Sequence, residues 1–148
     1  MRPTISVREA KPADAPALAL LFGELGFPAP AAVIAERLVA MQAKGEMVLV
    51  AEGPEGPIGV LTIHLTPVLH RPTPVGRFTA LVVAEGNRGR GVGRALVEAG
   101  EGHITDRGCA LVEVTSNRGR PEAHAFYERL GYEVTSLRFK KVLPTRSP

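Results

Sequence analysis

The run Arg88-Gly89-Arg90-Gly91-Val92-Gly93, continued by Arg94, has the residue types of an anion cradle. Glycines let a backbone turn tightly and bring several N–H groups into one concavity with no side chain in the way. The apolar segment Phe78 to Val83 precedes the run, and a helix-patterned segment follows it. The start of a helix adds unpaired N–H donors and a partial positive charge, and Arg88, Arg90 and Arg94 add full charges at the same place. A plain glycine-arginine surface loop is the competing reading.

Two better-known nucleotide loops do not fit. A Walker loop ends in lysine followed by a hydroxyl residue, a pair this chain lacks. The dinucleotide pattern Gly-x-Gly-x-x-Gly can be laid on Gly89 and Gly91, but its third glycine falls on Arg94. That pattern also opens the first strand-helix unit of a domain, whereas this run lies past the middle of the chain. His64 and His70 suggest a metal only until a third ligand is sought, and none follows at a recognisable spacing. Cys109 sits at the edge of the apolar run Cys109-Ala110-Leu111-Val112, where burial as a small hydrophobe is the stronger reading than a catalytic thiol.

These residues need a scaffold, and the apolar spacing supplies one. Thr4 to Glu9 alternates as a half-buried strand, and Asp14 then reads as the N-cap of a helix. Leu18, Leu21, Phe22 and Leu25 lie on one face of that helix, which Gly26 and Pro28 end. A second helix starts near Pro30, carries Ile34, Leu38 and Met41 inward, and stops at Gly45. Met47 to Ala51 and Ile58 to Leu65 form a hairpin of buried strands around Gly53-Pro54-Glu55-Gly56-Pro57. After a proline-rich connection, the strand Phe78 to Val83 leads into the glycine-arginine loop. The next helix runs to about Arg107, with Val92, Ala95, Leu96 and Ala99 inward, and Leu111 to Thr115 is the next strand. Pro121 opens a helix ending at Gly131, and a last strand spans Tyr132 to about Val142. His103 and His124 fall on helices without evident partners and are expected to be exposed. The order gives an α/β fold, a mixed α+β sheet with helices on both faces.

A chain of 148 residues suits one domain, 1–148, with a real core. No apolar run approaches the roughly 20 residues of a membrane helix, and Met1 to Thr4 leads into a strand rather than a signal sequence. With a single cysteine, this implies a cytoplasmic protein that does not use the membrane. A net charge of +3 and scattered aromatics argue against nucleic acid as a partner.

The spacing Arg88-x-x-Gly91-x-Gly93 after a strand, followed by Phe126-Tyr127-Glu128-Arg129-Leu130-Gly131-Tyr132, resembles the GNAT superfamily of acyl-CoA-dependent N-acyltransferases. The order of elements agrees along nearly the whole chain. The resemblance implies a three-layer fold whose central, mostly antiparallel sheet is splayed at the cofactor strand. It implies that backbone amides of Arg88, Gly89, Arg90, Gly91, Val92, Gly93 and Arg94 hold the pyrophosphate of acetyl-CoA. It also implies that the main chain of Leu81, Val82 and Val83 pairs with the pantetheine arm, where a bulge opens a slot toward the strand at Leu111 to Thr115. Tyr127 matches the tyrosine that donates a proton to the departing thiolate, with core packing beside Phe126 and Leu130 as its other reading. Many members bind the cofactor with an asparagine seven residues before the tyrosine, but here that place is Arg120. Asn117 could substitute, or Arg118 and Arg120 could reach a phosphate. A homodimer is also compatible with the resemblance.

Direct attack on a thioester needs a neutral amine, so something must take the proton of an alkylammonium. Phe78 to Val83 holds no carboxylate of the kind many family members use there. His70, in the loop before the cofactor strand, is the first candidate, because an imidazole changes charge near neutral pH. His64 could work with it, and Glu24 and Glu113 could attract or deprotonate a cationic acceptor. The resulting expectation is an acetyl-CoA-dependent N-acetyltransferase acting on the primary amine of a small molecule or peptide, without a metal. The alternative is a coenzyme A-binding regulatory or interaction domain that has lost catalysis.

Overall fold

The computed structural model describes residues 5–115 and 121–146. They divide into two compact units, Met1–Val114 and Thr115–Pro148.

The first unit is a sheet between helices. Its strands are β1 (Val7–Glu9), β2 (Met47–Gly53), β3 (Gly56–Thr66), β4 (Val75–Val83) and β5 (Val112–Val114), in spatial order β1-β2-β3-β4-β5. All neighbours are antiparallel except β4 and β5, which are parallel. The helices are α1 (Ala15–Leu25), α2 (Ala31–Ala43) and α3 (Val92–Asp106). Leu18 and Leu21 of α1 and Ile34 and Leu38 of α2 pack on Val48, Val50, Val60 and Val82, the residues that one face of the sheet directs toward them. Each such buried aliphatic side chain contributes about 1.5–3 kcal/mol. The opposite face carries α3, which approaches closely because it has glycine where it meets the sheet. A Cβ on Gly100 would stand 2.7 Å from Leu61 Cδ2 and 2.8 Å from Phe78 Cε1.

The helices and the hairpin lie where the apolar spacing puts them, but four local expectations change. Asp14 stands at the N-cap of α1 without a side-chain cap bond. Its buried carboxylate instead accepts two hydrogen bonds from Arg8, both at 2.8 Å, and one from the Lys11 N–H at 2.8 Å. Arg8 also pairs with Glu52, so one guanidinium ties β1, β2 and the entry to α1 together. Strand β4 begins at Val75 rather than Phe78. His103 and His124 are half-buried rather than exposed.

The second unit holds α4 (Pro121–Arg129), ended at Gly131 by a φ of 92°. The last strand is not found: residues 131–146 carry no regular structure. Its alternation slips twice, because Thr135-Ser136 and Lys140-Lys141 put Leu137 and Val142 out of phase with the apolar residues before them. Val134, Leu137, Phe139 and Val142 are exposed.

Candidate active site

The loop between β4 and α3 is built for backbone donors. After β4, a 3-10 turn at Glu85–Asn87 reverses the chain, and Arg88 Nε donates back to the Val83 carbonyl at 3.2 Å. Gly89 and Gly91 then take φ values of 76° and 84°, a region that side-chain-bearing residues rarely enter. Gly91 is the N-cap of α3 and supplies no side chain to close its first turn. The first bond of that turn is Ala95 N–H to the Gly91 carbonyl at 3.0 Å, which leaves the N–H groups of Val92, Gly93 and Arg94 without intrahelical partners. Val92 is buried and anchors the turn, while Arg88, Arg90 and Arg94 are exposed around it. Arg94 Nε also pairs with Glu98 at 2.8 Å, one helical turn on. An anion on this turn would meet oriented N–H groups, a helix dipole and an arginine rim. Gly93 sits inside the helix without a positive φ, so its lack of a side chain matters only for close approach.

Strand β4 also has the splay that the resemblance implies. Between β3 and β4 the register shifts at Thr62/Ile63, with Thr62 opposite Ala80 and Ile63 opposite Phe78, so Thr79 is the extra residue. The parallel ladder to β5 covers only Gly76↔Val112, Arg77↔Glu113 and Phe78↔Val114. Leu81, Val82 and Val83 stay paired with β3, opposite Leu61, Val60 and Gly59. On the side facing away from β3, their alternate main-chain groups have no ladder partner among the described residues. At the bulge, Thr79 Oγ1 lies 2.5 Å from the hydroxyl of buried Thr62.

The proton-transfer candidates are dispersed. His70 is exposed in the turn between β3 and β4, and Glu24 is exposed on α1. Glu113 lies on β5 with Arg77 Nη1 at 4.0 Å. His64 is different, because its Nδ1 is 2.5 Å from Glu46 Oε1. Glu46 escaped the sequence reading, and only the register reveals it: Met47 pairs with Ile63, which sets Glu46 beside His64. Cys109 is buried, as its apolar neighbourhood suggests.

In the second unit, Tyr127 is half-buried. Its ring meets Phe126 edge-on at 5.1 Å and Tyr132 at 5.6 Å between centroids. Burial pushes its phenol up to about 12, so the hydroxyl is a proton donor throughout the neutral range. Asn117, Arg118 and Arg120 lie outside the described residues.

Comparison with known proteins bears on this arrangement. The model of the acetyltransferase (GNAT) domain matches residues 44–134, which include β2 to α4 and the glycine-arginine loop. The aminoalkylphosphonate N-acetyltransferase of Salmonella typhimurium is 34% identical over 86 residues, 58% of this chain and 56% of that protein. The chain thus spans little more than half the length of that curated relative. Among solved structures, a transcriptional regulator from Bacillus halodurans C-125 superposes with a TM-score of 0.86 at 23% identity, over 95% of this chain and 100% of that one. An acetyltransferase of Trypanosoma brucei does so with a TM-score of 0.82 at 23% identity, again over 95% and 100%. At these identities the two structures establish the fold.

Proposed function

This chain belongs to the acetyltransferase (GNAT) domain family, and from that premise we propose that it transfers the acetyl group of acetyl-CoA directly to a primary amine. One observation carries the donor: an uncapped helix start with two left-handed glycines follows a strand whose outer ladder stops at Phe78. The pyrophosphate would rest on the N–H groups of Val92, Gly93 and Arg94, and the pantetheine arm would run back along Val83, Val82 and Leu81 toward the bulge at Thr79. Residues fixed in advance around developing charge need no reorganisation when the thioester reacts. Tyr127 is assigned the proton for the departing thiolate, a role its raised pKa supports by keeping the phenol protonated. The reading treats 1–148 as one catalytic domain.

The acceptor class put forward is a small-molecule amine, by similarity to the relative that acts on an aminoalkylphosphonate. Thiol release from acetyl-CoA across a panel of aminoalkylphosphonates, polyamines, aminoglycosides, amino acids and peptide N-termini tests the proposal. Turnover above hydrolysis with at least one amine is the expected result. Tight coenzyme A binding with no turnover would favour the second reading, a domain that binds the cofactor without catalysis. The observation behind that reading is the lack of a carboxylate from Phe78 to Val83.

A further inference from the structure

A row of polar side chains crosses the sheet on the face that carries α1 and α2, one step below the apolar core. Glu46 enters β2 beside His64 of β3, His64 pairs in register with Arg77 of β4, and Arg77 pairs with Glu113 of β5. These are the charged groups that face His64 from the neighbouring strands. Glu46 is the more buried partner, its side chain 21% exposed against 43% for His64. A carboxylate accepts only, so Glu46 Oε1 receives the proton of Nδ1 and fixes the ring with its lone pair on Nε2. Among the described residues no group occupies that second nitrogen, and the ring is open to solvent.

The same face leads to the bulge. Thr62, which hydrogen-bonds Thr79 there, lies two residues from His64 along β3. Neighbouring strands lie about 4.8 Å apart, so the outer edge of β4 is one to two strand spacings from His64, a span that an acceptor nitrogen can fill directly or through one water. A pantetheine arm descending from Val83 to Leu81 brings its thioester toward that bulge.

We propose that His64, held by Glu46, is the base that deprotonates the acceptor ammonium, with Glu46 as its positioning residue; this rests on the transfer reading above. One ammonium proton passes to His64 Nε2, and the freed lone pair forms the C–N bond at the thioester carbonyl. The C–S bond breaks, the thiolate takes the proton assigned to Tyr127, and the second proton of the attacking nitrogen leaves to solvent, from which the phenol is reprotonated. His64 returns its proton to solvent. This supplies the base that β4 lacks and that exposed His70, with no orienting partner among the described residues, serves less well.

The test follows kcat and KM against pH for the wild type, His64→Gln and Glu46→Gln, with melting temperatures as a check on folding and ¹⁵N shifts of His64 as a check on its tautomer. His64→Gln should lower kcat/KM for the amine about 100-fold at neutral pH, with the deficit closing as rising pH delivers neutral amine. Glu46→Gln should cost about 10-fold, leave KM for acetyl-CoA unchanged and weaken the Nδ1–H preference, because the amide can donate to Nδ1 as well as accept from it. A pair that only braces the strands would lower the melting temperature of both variants and leave the pH profiles parallel to the wild type. That result, or a wild-type His64 protonated on Nε2 alone, overturns the proposal while leaving amine acetylation standing. A wild type that acetylates no amine overturns the transfer reading itself, and this base with it.

Discussion

Gly91 closes the start of α3 at φ 84° and ψ 7°, and among the described residues the place a Cβ would take meets only Ile5 Cδ1, at 3.9 Å. Gly91→Ala therefore meets no clash, and its cost is the left-handed strain of about 1–2 kcal/mol. For a chain of this length that lowers the melting temperature by about 2–8 °C. The strain can be relieved only by turning the peptide, which swings the N–H groups of Val92, Gly93 and Arg94 off their common direction. Losing one charge-assisted bond to a phosphate costs about 1.5–3 kcal/mol, so coenzyme A affinity should fall about 10- to 100-fold. Gly93→Ala is the comparison, because Gly93 already lies inside α3 without a positive φ and its replacement adds no left-handed strain. It should weaken coenzyme A only if the ligand lies against the backbone. Calorimetric titration with coenzyme A and thermal melts of both variants measure the two effects separately. Wild-type affinity in both variants, with Gly91→Ala melting lower, would show that the pyrophosphate does not sit on this turn.

Other perturbations have equally definite outcomes. Tyr127→Phe should reduce kcat about 100-fold with the coenzyme A dissociation constant unchanged, and an unchanged kcat would return Tyr127 to a packing role. Because burial raises that phenol to about 12, stability measured by denaturant should fall as pH climbs from the ordinary tyrosine value near 10 through about 12, a loss absent in Tyr127→Phe. The Arg8 guanidinium holds Asp14 below its ordinary value, so its stabilisation is present at neutral pH and disappears as pH falls through the lowered value. Asp14→Asn should cost about 2–3 kcal/mol at pH 7 and flatten the acid limb of a stability profile. Gly100→Ala forces a Cβ within 2.7 Å of Leu61 Cδ2 and should destabilise by about 1–3 kcal/mol in a denaturant titration, against a gain if α3 stood further from the sheet.

What could be read in the sequence was local. The helices α1, α2 and α3 announce themselves because each presents a continuous apolar stripe and ends at Gly26, Gly45 or Gly108, all with positive φ. The start of β4 is not legible in the sequence because Gly76 and Arg77 interrupt its apolar run. Gly76 is needed there for a tertiary reason, since a Cβ would lie 2.7 Å from Ile104 of α3. Asp14 carries the residue type of a cap, but the better partner was Arg8, whose guanidinium offers two donors to a buried carboxylate. The phosphate turn was legible because its glycines and arginines are contiguous. Glu46 was not, because it meets His64 across 18 residues and depends on a register that no composition encodes.

The three-rung ladder between β4 and β5 has a consequence for how this protein breathes. Three parallel pairs at the margin of a sheet form one of the least cooperative units of a fold, and their amides should exchange with solvent by local opening well below the cost of global unfolding. In the proposed complex the pantetheine chain lies where further rungs would be, so the cofactor acts as a missing length of strand. Deuterium uptake at Gly76 to Val83 and Val112 to Val114 should then slow when coenzyme A binds, while uptake in β2, already enclosed between β1 and β3, stays the same.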